Sequence, residues 1–475
     1  MSGPMELAAL FRPEIALALA ALGALGFGVA NRDRRLRDLV ATGIGLGGCG
    51  AASGLALGAG ELGPVAAFFR ALLPLLTACA LMLIRGSAPA RHRPEQIALM
   101  LIATIGMMVL AGARDLLVVF LGLETAGLPL VALTALGAPG KRPAEAALKF
   151  FLMGALASAV ILFGMSLVYG MTGSLAFDAL APTRFRDPQP PLLLAGLGLV
   201  LVGFGFKVAA VPFHLWAPDA YAGAPAPAAA QIASGSKVAG FVILTRFWIE
   251  AAHPGSAADG AGILLVAVAT ASMLLGNLAA IAQQSVRRLL GYSAIAQGGY
   301  MVAALGAGGA PAAGPVLFYA VVYAVSVLGA FGVVARVETE TGSDRIAAFA
   351  GLARRAPGSA LAMLVFLTTL AGLPPLPGFL GKLLLFKSML GPAGVASSPS
   401  LWLVALAVTL SAVSLYYYLI VLKSIFVSGD PPQVPSAGPP DLLAAGVVFL
   451  LAIVTVGLAL APGPLLEALL RATGG

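Results

Sequence analysis

Charge is what this chain has least of. Only 10% of its 475 residues are Asp, Glu, Lys or Arg, against 60% hydrophobic residues. Mean hydropathy is +0.98, which excludes a water-soluble domain and predicts a polytopic membrane protein. Cysteine is nearly absent: Cys49 and Cys79 both fall in apolar runs and suggest neither a disulfide framework nor a metal site. His92, His214 and His253 are too scattered for a structural zinc site. There is no cysteine cluster for iron–sulfur chemistry and no glycine-rich nucleotide fingerprint. The formal charge of +8 comes mostly from loop arginines, so it reports topology rather than nucleic-acid binding.

What is present is a series of apolar runs of about 17–25 residues, the length that crosses a bilayer. About fourteen are expected, centred near residues 22, 48, 75, 104, 125, 158, 201, 239, 272, 297, 325, 372, 413 and 452. The first, Glu14 to Ala30, follows Glu6 and Arg12 and precedes Arg32, Arg34 and Arg35. It lacks a basic leading region, so it reads as a retained span rather than a signal peptide. Alternate loops carry the basic residues: Arg32/Arg34/Arg35/Arg37, Arg85/Arg91/Arg93, Lys141/Arg142, Arg287/Arg288, Arg336/Arg345/Arg354/Arg355 and Lys423. The opposite set carries little, namely Arg114, Arg184, Arg186 and Lys387. The positive-inside rule puts the first set in the cytoplasm and both termini outside, in the periplasm of a bacterial inner membrane.

Two spans cannot be continuous helix. Pro212 interrupts the seventh, Gly203 to His214, and Pro374, Pro375 and Pro377 interrupt the twelfth, Gly372 to Lys382. Unwound backbone inside a membrane survives only where protein buries it or water faces it. Paired broken helices in two halves of a chain point to inverted repeats around a midplane ion site. The expected fold is therefore all-α, a single membrane domain over 1–475. It divides into N-terminal helices at 12–94, a first five-helix repeat at 95–250, a second at 261–425 and a last span at 440–463. An odd number of spans per unit inverts the second repeat relative to the first.

Four ionisable residues, Glu124, Lys207, Lys237 and Lys382, stand near the middle of separate apolar spans. Each such charge costs about 2.5–3.5 kcal/mol at bilayer depth. Leucine or alanine would serve the fold as well, so the four positions read as a path for protons or ions. Lysine can release its proton when desolvated, whereas arginine stays charged. Mid-span lysines without mid-span arginine thus favour proton handling over fixed anion binding. The competing reading for Glu124 is a static ion pair with Lys207. For Lys237 it is snorkelling to the interface, and for Lys382 a lysine near a helix end. Ser234, Gly235, Ser236 and Gly240 around Lys237 leave room for close packing and water. His214 borders the seventh-span break on the cytoplasmic side, where it serves either as a proton relay or as a plain polar contact. Lys149 is equally divided between snorkelling and function. Arg246 and Glu250 are spaced to pair with each other, and Arg70 reads as a structural residue at the outer end of the third span.

These residues also carry a resemblance. The stretch His214-Leu215-Trp216-Ala217-Pro218-Asp219-Ala220-Tyr221-Ala222-Gly223-Ala224-Pro225, followed by Ser236-Lys237-Val238-Ala239-Gly240-Phe241, resembles the signature of antiporter-like subunits of respiratory complex I. So do Arg288-Leu289-Leu290-Gly291-Tyr292-Ser293 and Ala371-Gly372-Leu373-Pro374-Pro375-Leu376-Pro377-Gly378-Phe379. With the fourteen-span pattern, the resemblance covers nearly the whole chain. Gly223, where other branches usually have an acidic residue, and Lys382 are similar to the N-type branch rather than the L or M types. The resemblance implies a proton-translocating membrane subunit of NADH:quinone oxidoreductase with no cofactor of its own. NADH, FMN, iron–sulfur clusters and quinone would belong to partner subunits. An M-type subunit, small membrane subunits and the lipid bilayer would be its neighbours. It further implies Glu124 and Lys207 as a modulating pair, Lys237 as the central relay and Lys382 as the terminal lysine. One departure stands out: Gln297 occupies the tenth-span position where members of the family often have histidine. The alternatives are a subunit of a multisubunit Na⁺/H⁺ antiporter or of a membrane-bound hydrogenase. From other classes, a stand-alone solute transporter would act when reconstituted alone, and a structural scaffold would tolerate neutralisation of all four charges.

Overall fold

The computed structural model describes residues 10–58, 62–86, 92–137, 140–180, 190–252, 260–391, 398–427 and 441–474. Glu6, Arg91, Arg184, Arg186 and His253 lie outside the described residues. The architecture is helical throughout the described residues, apart from two isolated β-bridges. The helices are α1 (Arg12–Ala30), α2 (Arg34–Gly58), α3 (Pro64–Leu83), α4 (Arg93–Gly112), α5 (Leu116–Ala135) and α6 (Lys141–Thr172). Next come α7 in two halves, α7a (Pro191–Lys207) and α7b (Trp216–Gly223), then α8 (Ala226–Ala251). The second half holds α9 (Gly260–Ile281), α10 (Val286–Gly308), α11 (Ala313–Thr341), the broken pair α12a (Pro357–Ala371) and α12b (Pro377–Leu390), and α13 (Leu401–Phe426). After α14 (Leu442–Leu460) the chain adds α15 (Gly463–Ala472), a short amphipathic helix that the hydropathy pattern does not mark. Eleven of the helices are long and apolar enough to cross a membrane unaided, and α7a and α12a are shorter apolar helices. Both interruptions fall where proline was expected to place them.

Local chemistry sets the ends of these helices. Proline opens α3, α7a, α12a and α12b, where its missing N–H would have had no partner. Asp115 caps α5, Ser285 caps α10 and Asp441 caps α14, each accepting from backbone N–H groups of the first turn. Helices that are apolar all round belong in the interior. The apolar windows of α8 and α11 are 100% buried, against 22% for α14. These two are the central columns, and α14 stands at the lipid-facing rim.

The two five-helix units share a joint that can be traced atom by atom. Thr172-Gly173-Ser174 ends α6 and Thr341-Gly342-Ser343 ends α11, with the glycine at φ 69° in both. Ser174 N donates to Thr172 Oγ1 at 3.1 Å, and Ser343 N to Thr341 Oγ1 at 3.3 Å. The following residue pairs form the bridges Asp115–Ala176 and Ser285–Arg345, at the starts of α5 and α10. Because five spans separate the two joints, they sit at opposite ends of the bundle, which is what an inverted repeat requires.

The broken helices repeat as well. At the end of α7a, Ala210 N donates to Gly205 O at 2.7 Å and Ala209 N to Phe206 O at 3.0 Å. At the end of α12a, Leu373 N donates to Thr368 O at 3.1 Å and Gly372 N to Thr369 O at 3.0 Å. Both are Schellman endings, which need a left-handed residue. Glycine supplies it in the second unit (Gly372, φ 84°) and alanine in the first (Ala209, φ 58°).

The basic residues gather at one end of the bundle and interlock there. Arg85 meets Asp441 at 3.2 Å, Arg288 meets Asp219 at 2.6 Å, and Arg355 meets Glu340 at 2.9 Å. Arg287 bonds Glu338 at 3.1 Å and the carbonyl of Ala224. At the other end Arg70 is buried and grips Glu14 of α1 with Nε and Nη2, the closest contact being 2.7 Å. Arg70 is thus a structural residue, as its place near the end of the third span suggested. Arg246 and Glu250 pair at 3.1 Å.

Candidate functional site

Burying a lysine at membrane depth is costly unless something receives its charge. Lys207, Lys237 and Lys382 are all buried, with 3–7% of their surface exposed. None has a carboxylate within ion-pair distance among the described residues. Lys237 and Lys382 donate to neutral oxygens, one of them at a helix break, and Lys207 faces a cavity.

Lys382 shows the principle most clearly. The last carbonyls of α12a lose their helical donors at the break. Ala371 O, the final one, accepts from Lys382 Nζ at 3.0 Å, and Ser411 Oγ of α13 accepts at 2.9 Å. The negative end of the half-helix faces the ammonium. Nζ also lies 5.1 Å from the ring centroid of Tyr300. The neighbouring Leu370 O, likewise freed, accepts from Gln297 Nε2 at 3.0 Å. Gly372 leaves the side chain of Lys382 its passage, since a Cβ there would stand 2.8 Å from Lys382 Cδ.

Lys237 follows a π-helical turn, Ile232–Ser236, inside α8. Such turns change helical register locally. Its Nζ donates to Ala294 O of α10 and lies 5.5 Å from the Tyr323 ring centroid on α11. The side chain therefore runs inward to α10 rather than snorkelling to an interface.

Lys207 is the last residue of α7a and passes Gly240 of α8, where an added Cβ would stand 3.1 Å from its Cγ. It opens on a cavity of about 400 Å³ between α5, α6 and α7 that Glu124, Ser158, Ser236 and Trp216 also line. Glu124 is half-buried and accepts from Ser158 Oγ. Lys207 and Glu124 share this cavity without touching, so a static contact pair is not what the structure holds.

Between Lys237 and Lys382 runs a set of polar side chains that hydropathy reading passed over. On α10, Ser293 shares a hydrogen bond with Tyr418 of α13. The adjoining Tyr417 donates to Asn277 Oδ1 at 3.2 Å, and Asn277 Nδ2 to Tyr300 Oη at 3.1 Å. Tyr300 is the ring against Lys382. Tyr319 donates to Gln297 Oε1 at 2.6 Å. A signal was available: tyrosine in membrane helices favours the interfaces, yet Tyr300, Tyr319, Tyr323, Tyr417 and Tyr418 all sit deep in spans. Gln297 here does structural work that its lack of titration does not impair. Gln297→Leu should orphan Leu370 O and Tyr319 Oη, at about 1–3 kcal/mol for each group. Thermal denaturation of the purified protein checks this, and an unchanged midpoint would show that neither bond matters.

The remaining candidates lie off this line. His214 is buried in the α7 break, and its Nδ1 has no hydrogen-bond partner among the described residues. Lys149 is half-exposed and sits between Glu145 at 2.7 Å and Asp219 at 3.0 Å, an ion-pair network at the basic end. Cys49 and Cys79 are free thiols.

Residues 113–414, from the start of α5 into α13, match the family described as "NADH:quinone oxidoreductase/Mrp antiporter, TM". That span contains all four mid-membrane charges and both broken helices. An NADH-quinone oxidoreductase subunit N 2 of Acidobacterium capsulatum is 44% identical over 390 residues, 80% of this chain and 77% of the relative. An NADH-quinone oxidoreductase subunit N of Moorella thermoacetica is 37% identical over 471 residues, 94% of each chain. A chain of respiratory complex I from Thermus thermophilus, solved with bound aureothin, superimposes with a TM-score of 0.80. It is 33% identical, and the match covers 98% of this chain and 100% of that one. The matched span, the paired broken helices and the line of buried lysines agree: this chain belongs to the antiporter-like transmembrane family of NADH:quinone oxidoreductases, among relatives of the subunit N type.

Proposed function

We propose that this chain is the proton-translocating, antiporter-like subunit of the N type in an NADH:quinone oxidoreductase. It contributes to that enzyme as a membrane subunit, and electron transfer from NADH through FMN and iron–sulfur clusters to quinone takes place in its partners. One observation carries the reading. Among the described residues the buried arginines Arg70, Arg246 and Arg287 each pair with a carboxylate, whereas the three buried lysines donate only to neutral oxygens or face a cavity. A lysine held by carbonyls and hydroxyls can give up its proton without leaving an unpaired carboxylate behind. That is the behaviour a relay needs and a static brace does not.

In this scheme Glu124 and Lys207 modulate each other across their shared cavity. A charge change outside the subunit shifts the Glu124–Lys207 balance, and Lys207 then alters the field at Lys237. Lys237 is the central relay. Its proton passes through the hydroxyl and amide groups of α9, α10 and α13, with water, toward Lys382. His214 serves the inner side of the α7 break. The basic end faces the cytoplasm of a bacterial inner membrane, and the start of α1 and the end of α15 face the periplasm. An M-type antiporter-like subunit and small membrane subunits pack against it.

Lys207→Ala is expected to lower NADH-driven proton pumping several-fold in inverted membrane vesicles, with the enzyme assembled. Normal pumping by such an assembly would remove Lys207 from the path. The assignment to the enzyme is checked by tagging the chain in its host and purifying it gently. Co-purified flavin, iron–sulfur clusters and NADH:quinone activity are the expected result. A smaller assembly lacking redox centres would move the chain to the antiporter branch of the family.

A further inference from the structure

At the basic end, α2 contributes Arg34 and Arg35, the residue stretch after α3 contributes Arg85, and α4 begins with Arg93. These four arginines enclose a cavity of about 410 Å³ together with Asp38, Leu39, Thr42 and Asp441. Four cations face two carboxylates, an excess of two positive charges.

Both carboxylates are already committed. Asp38 meets Arg37 at 3.4 Å and Arg93 at 3.5 Å. Asp441 takes Arg85 on Oδ2, while its Oδ1 accepts from Leu443 N and Ala444 N at the start of α14. Arg35 has no side-chain ion pair among the described residues, and Arg93 Nε is buried with no hydrogen-bond partner. Setting membrane orientation needs basic residues only on the correct side, not in one cavity. Here three separate stretches bring like charges together around a common space, an arrangement that repels itself until an anion enters.

We propose that this cavity binds the phosphate of an anionic phospholipid at the cytoplasmic leaflet. Arginine forks match phosphate oxygens in pairs, and basic pockets between membrane helices on this side suit such headgroups. The choice of a lipid over a soluble phosphate rests on the apolar surface beside the cavity. Leu39, in its wall, is 56% exposed, and Leu442, next to Asp441, is 83% exposed. Acyl chains would cover these leucines while the phosphate meets Arg35 and Arg93. The bound lipid would join the α2–α4 end to α14.

The test uses the whole purified assembly, stripped of lipid in detergent and offered dioleoylphosphatidylglycerol or dioleoylphosphatidylcholine. Native mass spectrometry counts the lipids retained. The wild-type assembly should keep one more phosphatidylglycerol than the Arg35→Gln/Arg93→Gln variant, and phosphatidylcholine should not replace it. Each arginine near an anionic headgroup contributes about fivefold in affinity, so the pair should cost about 30-fold. Arg345→Gln, at the same end but outside the cavity, should change nothing. Arg35→Gln alone keeps the test sound if the double variant fails to assemble, because Arg35 is exposed and makes no side-chain ion pair among the described residues. Equal retention by wild type and Arg35→Gln would overturn the proposal, as would equal retention of the two lipids. Displacement of the lipid by millimolar inorganic phosphate would reassign the cavity to a soluble ion. Loss of a neighbouring subunit at an unchanged lipid count would reassign it to a protein contact.

Discussion

Lys237→Met should abolish proton transfer through this chain and at the same time raise its thermal stability. The two effects have one cause. Lys237 is 3% exposed and its ammonium bonds a backbone carbonyl on α10, with no carboxylate among the described residues to balance it. Methionine fills similar volume and removes the charge, returning about 2 kcal/mol once the lost bond is deducted from the insertion cost. A scaffold would improve under this substitution; a relay would be cut. Lys237→Arg sharpens the contrast, because guanidinium keeps the charge but does not release its proton near neutral pH. It is expected to be as inactive as methionine. The measurement is the ratio of protons moved to NADH oxidised in vesicles, beside the melting temperature of the purified enzyme. An unchanged ratio in either variant would take Lys237 out of the pathway.

Glu14→Ala should be the most damaging single change to stability, with little effect on the proton ratio of molecules that stay folded. It strips Arg70 of a buried carboxylate that receives Nε and Nη2. Among the described residues only the carbonyl of Leu10 would remain for this side chain. Breaking one side of a buried pair typically costs about 3–5 kcal/mol, because the surviving charge is stranded. Glu14→Leu/Arg70→Met, which removes both charges, should fall within about 1 kcal/mol of the parent. α1 and α3 lie before the matched span of 113–414, so the relay itself is untouched. Thermal unfolding in detergent separates these cases, and a single variant as stable as the double one would refute the stranded-charge argument.

The contrast between these two predictions rests on a distinction that hydropathy could not draw. Glu14, Arg70, Glu124 and Lys237 are all charges in or beside apolar runs. Which of them are mutually satisfied depends on contacts between residues far apart in the chain. Arg70 and Glu14 are separated by 56 positions and Lys237 and Ala294 by 57. Glu124 and Lys207 looked like partners on charge alone, yet they face one cavity without contact.

The sequence by itself determined the membrane class, the all-helical architecture, the breaks in α7 and α12 and the four mid-span charges. These follow from local properties: apolar length against bilayer thickness, the missing N–H of proline and the cost of a buried charge. Only the tertiary structure decided what receives Lys237 and Lys382, why Gln297 serves at the end of α12a, and which tyrosines gather with Asn277 beside Lys382. It also decided that arginines 34, 35, 85 and 93 share one cavity. The physical reason is that a hydrogen bond or a charge cluster is a statement about distance. Chain order sets distance within a helix, but packing alone sets it between helices.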